Sequence, residues 1–110
     1  MNKRIKKLWI KALRSGKFKQ GNGKLRYKED GTVLHCCLGV LEEIRVAERG
    51  GRFSKGCGEN CNLLSNVTRE WAALDDADPV IRPKLGVTAA ESNDDGKSFR
   101  YIASMIEKYL

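Results

Sequence analysis

One short segment of the chain concentrates the residue types that bind phosphate. Gly16-Lys17-Phe18-Lys19-Gln20-Gly21-Asn22-Gly23-Lys24-Leu25-Arg26-Tyr27-Lys28 interleaves glycines with cations. Glycine permits positive φ and close backbone approach, and successive N–H groups in such a turn can cradle an anion. A nucleotide pocket needs a few basic groups converging on glycine-rich backbone, with an aromatic or amide for the base. Lys17, Phe18, Lys19, Gln20, Gly21, Gly23, Lys24 and Arg26 supply those types within one stretch. The segment is not a P-loop. Gly16 and Gly21 have the spacing, but Asn22 stands where Lys should follow, and no Ser or Thr comes next to hold magnesium. The expected chemistry is capture of a phosphate-bearing ligand by this loop, with no cofactor.

The remaining chemistry-bearing residues make a weaker case. Cys57-Gly-Glu-Asn-Cys61 places two thiols in a polar loop, and His35, Cys36 or Cys37 could complete a zinc site. Against this, adjacent cysteines rarely both point at one metal, and no second C-x-x-C knuckle exists. A metal at Cys57 and Cys61 is therefore the lesser alternative, and no metal is expected. Cys36 and Cys37, small and soft, read as core residues, and all four cysteines are expected to be reduced. His35 is the single histidine and neighbours Cys36 along a strand, which points the two side chains to opposite faces. No nucleophile, base and orienting group come together, and the expectation is a binding protein and not an enzyme.

The elements that must position these residues follow from periodicity. Ile5, Leu8, Trp9, Ala12 and Leu13 lie on one face of a first helix that Ser15-Gly16 closes, with Lys and Arg on the other. Leu25 to Lys28 pairs through Glu29-Asp30-Gly31 with Thr32 to His35 as a hairpin. From Cys37 the period changes: Cys37, Val40, Leu41, Ile44 and Ala47 form one face of a buried helix, and Glu42, Glu43, Arg45 and Glu48 fall outside it. Gly39 within that helix costs about 1 kcal/mol relative to Ala, which implies a close crossing over it. A short helix capped by Ser65 or Asn66, with Val67, Trp71 and Leu74 inward, comes next. Pro79 to Pro83 reads as an edge strand and Ser92 to Gly96 as a turn. Phe99, Ile102, Ala103, Ile106 and Leu110 repeat at helical spacing in a last helix. The expected fold is α+β: three main helices packed on a small antiparallel sheet, in a single domain over residues 1–110.

Charge is the most uneven property of these 110 residues. Residues 1–28 carry eleven Lys or Arg and no acid, and residues 29–110 carry ten basic and fourteen acidic residues; the net +7 thus originates in the N-terminal quarter. So one-sided a field attracts phosphate-rich partners. No apolar run approaches a membrane span, and no uninterrupted apolar stretch resembles a signal peptide, so a cytoplasmic protein without membrane contact is expected.

Three motifs carry a resemblance. Trp9…Ala12-Leu13-Arg14-Ser15-Gly16-Lys17-Phe18-Lys19-Gln20-Gly21, Cys36-Cys37-Leu38-Gly39-Val40-Leu41, and Asn93-Asp94-x-Gly96-Lys97-Ser98-Phe99-x-x-Ile102-Ala103 look like a group of small, mostly uncharacterised proteins of tailed bacteriophages. Residues 50–64 fall outside the similarity. The resemblance implies a viral protein working in the cytoplasm of an infected bacterium and carries over no catalytic residue. It suggests a use for an anion pocket: sequestering a nucleotide signal of host anti-phage immunity. A nucleic-acid-binding protein, or an inhibitor docking on a host protein, is the alternative. A chain with so modest a core also gains from pairing, and a homo-oligomer, a dimer, is expected.

Overall fold

The structure is a computed structural model that describes residues 1–53 and 61–110. The first helix, α1 (Lys3–Arg14), starts at Asn2, whose side chain accepts from Ile5 N, and ends at Ser15, followed by Gly16 at φ 77°. Its inward face is Ile5, Trp9, Ile10 and Leu13, with Leu8 and Ala12 half-buried at its edge. Trp9 is completely buried, and its indole N–H donates to Cys37 O at 2.9 Å. A buried indole without such a partner would forfeit part of the gain from burying its ring.

Two strands then form the expected hairpin. β2 (Arg26–Glu29) pairs antiparallel with β3 (Thr32–His35), joined by the two residues Asp30 and Gly31 at φ 51° and 80°. Positive φ at both central positions is what a two-residue turn between right-twisted strands requires. The sheet departs from the sequence expectation in one respect. A third strand, β1 (Lys19–Gln20), lies parallel to β3, in the order β1-β3-β2, so the sheet is mixed and not purely antiparallel. Two polar residues give no hydrophobic pattern, and this strand is held by side-chain bonds from Gln20 instead.

The chain next enters α2 (Cys37–Arg49). Its fully buried Gly39 faces the backbone of Leu25, whose carbonyl oxygen occupies the space a Cβ would take, which explains a glycine in a helix interior. The buried face differs from the expected one: Glu42 and Arg45 are inside and Ala47 is exposed. The reason is a polar network supplied by α3 (Asn66–Trp71). Glu42 Oε1 accepts from Ser65 N at 2.8 Å and Oε2 from the Thr68 hydroxyl at 2.7 Å; Arg45 Nε donates to Thr68 Oγ1 at 2.6 Å. Arg45 further donates to Gly50 O and Arg52 O, capping the end of its own helix. Thr68 is accordingly the inward residue of α3, and Val67 is exposed.

The Pro79 to Pro83 stretch contains β4 (Val80–Arg82), paired with β5 (Val87–Thr88) in a second, two-stranded sheet. Where a turn was expected, residues Ala89–Asp94 form a helix, α4, capped by Thr88. Asn93 explains the difference. Its buried amide donates to Gly21 O at 2.7 Å and accepts from Cys37 N at 3.1 Å, so tertiary bonds replace the local ones that make Asn a turn residue. The last helix, α5 (Phe99–Tyr109), is capped by Ser98 and packs Phe99, Ile102, Ala103 and Ile106 against α1. The described residues thus form an α+β domain with five helices around one core. None of these helices is long and apolar enough to cross a membrane.

Candidate anion-binding site

The site is built on the β2–β3 hairpin. Directly opposed residues of an antiparallel pair share a face, so the register sets Arg26 beside His35 and Lys28 beside Val33 on one side of the sheet. The segment leading into β1 borders the hollow on that side with Lys17 and Phe18, Lys19 of β1 adds to its lining, and Glu43 reaches it from α2. With Tyr27 these residues line a concavity of about 500 Å³. Among the described residues, four cationic ones, Lys17, Lys19, Arg26 and Lys28, line it together with one carboxylate, Glu43.

Glu43 organises the floor. Its Oε1 accepts from Arg26 Nη1 at 3.1 Å and its Oε2 pairs with His35 Nε2 at 3.0 Å. The hydrogen bond from His35, reinforced by the charge of Arg26 and opposed by partial burial, holds the Glu43 carboxyl below its ordinary 4.5. An ionised Glu43 keeps a proton on Nε2, which leaves Nδ1 as the other functional nitrogen of the ring. That nitrogen is sealed from solvent and has no hydrogen-bond partner among the described residues. Phe18 meets the imidazole edge-on at 5.1 Å between centroids, and Phe53 lies on another side at 6.5 Å. The Arg26 guanidinium sits 4.1 Å from the Phe53 ring centroid, a cation–π contact that fixes its plane.

Of the residues singled out in the sequence, Lys17, Phe18, Lys19 and Arg26 converge on this concavity. The glycine loop plays a different part. Gly21 N donates to His35 O, Asn22 N to the Tyr27 hydroxyl and Gly23 N to the Asp94 carboxylate, so these three donors are already engaged. Gly21 is needed for space: a Cβ there would lie 2.7 Å from the Tyr27 ring. Gln20 is likewise structural, with Nε2 donating to Asn93 Oδ1 and Lys97 O and Oε1 accepting from Phe99 N. Gly23 and Lys24 are exposed and lie outside the lining. His35, Glu43, Lys28, Tyr27 and Val33 were not anticipated. The signal for three of them was present, since a two-residue Asp30-Gly31 turn sets the hairpin register and hence the face shared by Arg26, Lys28, Val33 and His35.

The cysteines divide. Cys36 and Cys37 are free and buried, and burial pushes the Cys36 thiol up to about 11 and Cys37 well above its ordinary value. Neither is a thiolate at neutral pH, which suits core residues and not ligands. Cys61 is disulfide-bonded, which corrects the expectation that all four cysteines are reduced and removes its sulfur as a thiolate ligand. Cys57, the other half of the suggested metal pair, lies outside the described residues.

A family model described as "Domain of unknown function (DUF8296)" matches residues 1–110. The chain belongs to this family. No curated protein and no solved structure matches this DUF8296 chain.

Proposed function

We propose that this chain captures a small phosphate-bearing ligand, a nucleotide, in the hairpin concavity and holds it without transforming it. The observation that carries this reading is the grouping of Lys17, Lys19, Arg26 and Lys28 around one concavity whose one carboxylate among the described residues, Glu43, is already paired with Arg26 and hydrogen-bonded to His35. Cations gathered around a pre-formed hollow bind phosphate without paying to reorganise. The anion is gripped by side chains, since the nearby backbone donors are engaged internally. Binding and not catalysis is the reading His35 supports: its Nδ1, without a hydrogen-bond partner among the described residues, is closed to solvent, and its Nε2 is engaged by Glu43. The resemblance of its motifs to those of tailed-phage proteins is what supports a setting in the infected bacterial cytoplasm, where capture would sequester a nucleotide signal of host immunity. Pairing of two chains into a dimer belongs to the same proposal, and light scattering across micromolar concentrations tests it.

A second reading, nucleic-acid binding, has one observation in its favour. The exposed lysines Lys3, Lys7 and Lys11 of α1 extend the basic surface beyond the concavity. The test is differential. Pyrophosphate and nucleoside triphosphates should raise the melting temperature, by about 2.7 kcal/mol of added stability at a hundredfold excess over Kd. Extract from infected cells, washed and heat-denatured off the protein, should release an unaltered nucleotide by mass spectrometry. Lys17→Ala with Lys19→Ala and Lys28→Ala, all exposed, should abolish both effects and leave the fold intact. A modified product would replace this reading with an enzyme. DNA binding with a log–log salt slope of several units, and no small molecule, would replace it with the second.

A further inference from the structure

We infer that the ligand carries two phosphate groups set apart, one on each side of a ridge formed by Lys17, Phe18 and Lys19; this rests on the function proposed above and names the class of ligand. Behind that ridge lies a second concavity of about 590 Å³, which shares Lys17, Phe18 and Lys19 with the first and adds Arg14, Ser98 and Arg100 of its own. Each hollow is of ordinary ligand-site size. Each also has cations the other lacks: Arg26 and Lys28 in one, Arg14 and Arg100 in the other. One phosphate would use half of this arrangement.

The two halves are fixed relative to one another. Phe18 is half-buried with its ring against His35, which sets the ridge on the sheet. Gln20, two residues on, ties the same strand to α5 by accepting from Phe99 N at 3.2 Å and donating to Lys97 O at 2.7 Å. Arg100 therefore stands on a helix start bolted to the strand that carries Lys19. The N-terminus of α5 adds its partial positive charge to the second hollow. Arg14, which borders the second hollow, is paired with Glu107 at 3.3 Å, an exposed pair that a phosphate can replace. Such preorganisation rewards a ligand that fills both hollows, because the second phosphate binds intramolecularly. The chemistry is that of two nucleotides joined through phosphate, met either as a free dinucleotide or within a strand.

Calorimetry on the full chain with three probes tests this: adenosine monophosphate, the linear dinucleotide pApA, and a deoxyadenylate strand of about ten nucleotides. The expected result is that pApA binds at least about tenfold more tightly than the monophosphate, and that Arg100→Ala removes this advantage without weakening the monophosphate. Lys28→Ala should weaken both. A strand that binds no more tightly than pApA confirms that occupancy stops at two subsites and identifies the free dinucleotide as the source. Equal affinity for monophosphate and pApA, or an Arg100→Ala protein with unchanged pApA affinity, overturns the inference and leaves the single-pocket function standing. A strand that tightens by a further factor of about ten overturns it in favour of a continuous nucleic-acid track. Failure of all three probes to bind overturns the proposed function, and this inference with it.

Discussion

Replacing Gly39 with Ala sets local and tertiary preferences against each other. In an isolated helix the change gains about 1 kcal/mol, because Ala is the better helix former. In this fold the new methyl meets the main chain of Leu25: the Cβ would lie 2.7 Å from the Leu25 carbonyl carbon and closer still to its oxygen. Over-packing costs about 1–3 kcal/mol where side chains can rotate away, and a backbone carbonyl cannot, so the upper end applies. Leu25 is pinned on both sides. Its N–H donates to Cys61 O at 2.7 Å and its carbonyl accepts from Cys36 N at 3.3 Å, and moving it forfeits about 1 kcal/mol more. The net expectation is a loss of about 3 kcal/mol, or a fall in Tm of about 10–20 °C for a domain of this size. Urea denaturation followed by far-ultraviolet circular dichroism should show a lowered midpoint at unchanged slope. Because Arg26 follows Leu25, phosphate binding should weaken in the folded variant too. An unchanged or raised midpoint would refute the close crossing of α2 over Leu25.

Other perturbations address the buried polar groups. Arg45→Met leaves the Glu42 carboxylate buried without its cation and should cost about 3–5 kcal/mol, whereas Arg45→Met combined with Glu42→Leu should recover much of that; urea midpoints of the double-mutant cycle measure the coupling, and a single-variant loss under about 1 kcal/mol would contradict it. Asn93→Asp removes the donor to Gly21 O and puts a carboxylate beside it, so a loss of about 2–3 kcal/mol is expected in a thermal melt, with the β1 amide signals most shifted in NMR spectra. For Glu43 the folded carboxyl sits below its ordinary 4.5, so the stability it contributes is complete above 4.5 and disappears as pH falls through the lowered folded value. The stability of Glu43→Gln should consequently approach that of the native chain on acidification; a gap independent of pH would show that the carboxylate charge is not what matters.

Several features were legible in the sequence because their cause is local. The stripe of α1, the stop at Ser15-Gly16, the Asp30-Gly31 hairpin, the Ser65 cap and the repeat of α5 each follow from spacing within one segment. The crowding at Gly39 was also inferable, since a helix-interior glycine is costly unless something needs its space. The cationic residues Lys17, Lys19 and Arg26 were nameable from composition alone. Their grouping with His35 and Glu43 was not, because it depends on hairpin register and on the rotation of α2. The short strand β1 and the helix α4 were hidden for a related reason. Gln20 and Asn93 are polar residues that local rules assign to loops, and here they bond to one another across 73 positions of chain. Glu42 and Arg45 likewise read as solvated until Thr68 and Ser65 arrive to satisfy them. Apolar periodicity reports what a segment buries by itself. A polar group can be buried only when a partner from elsewhere pairs with it, and that pairing exists only in the folded chain.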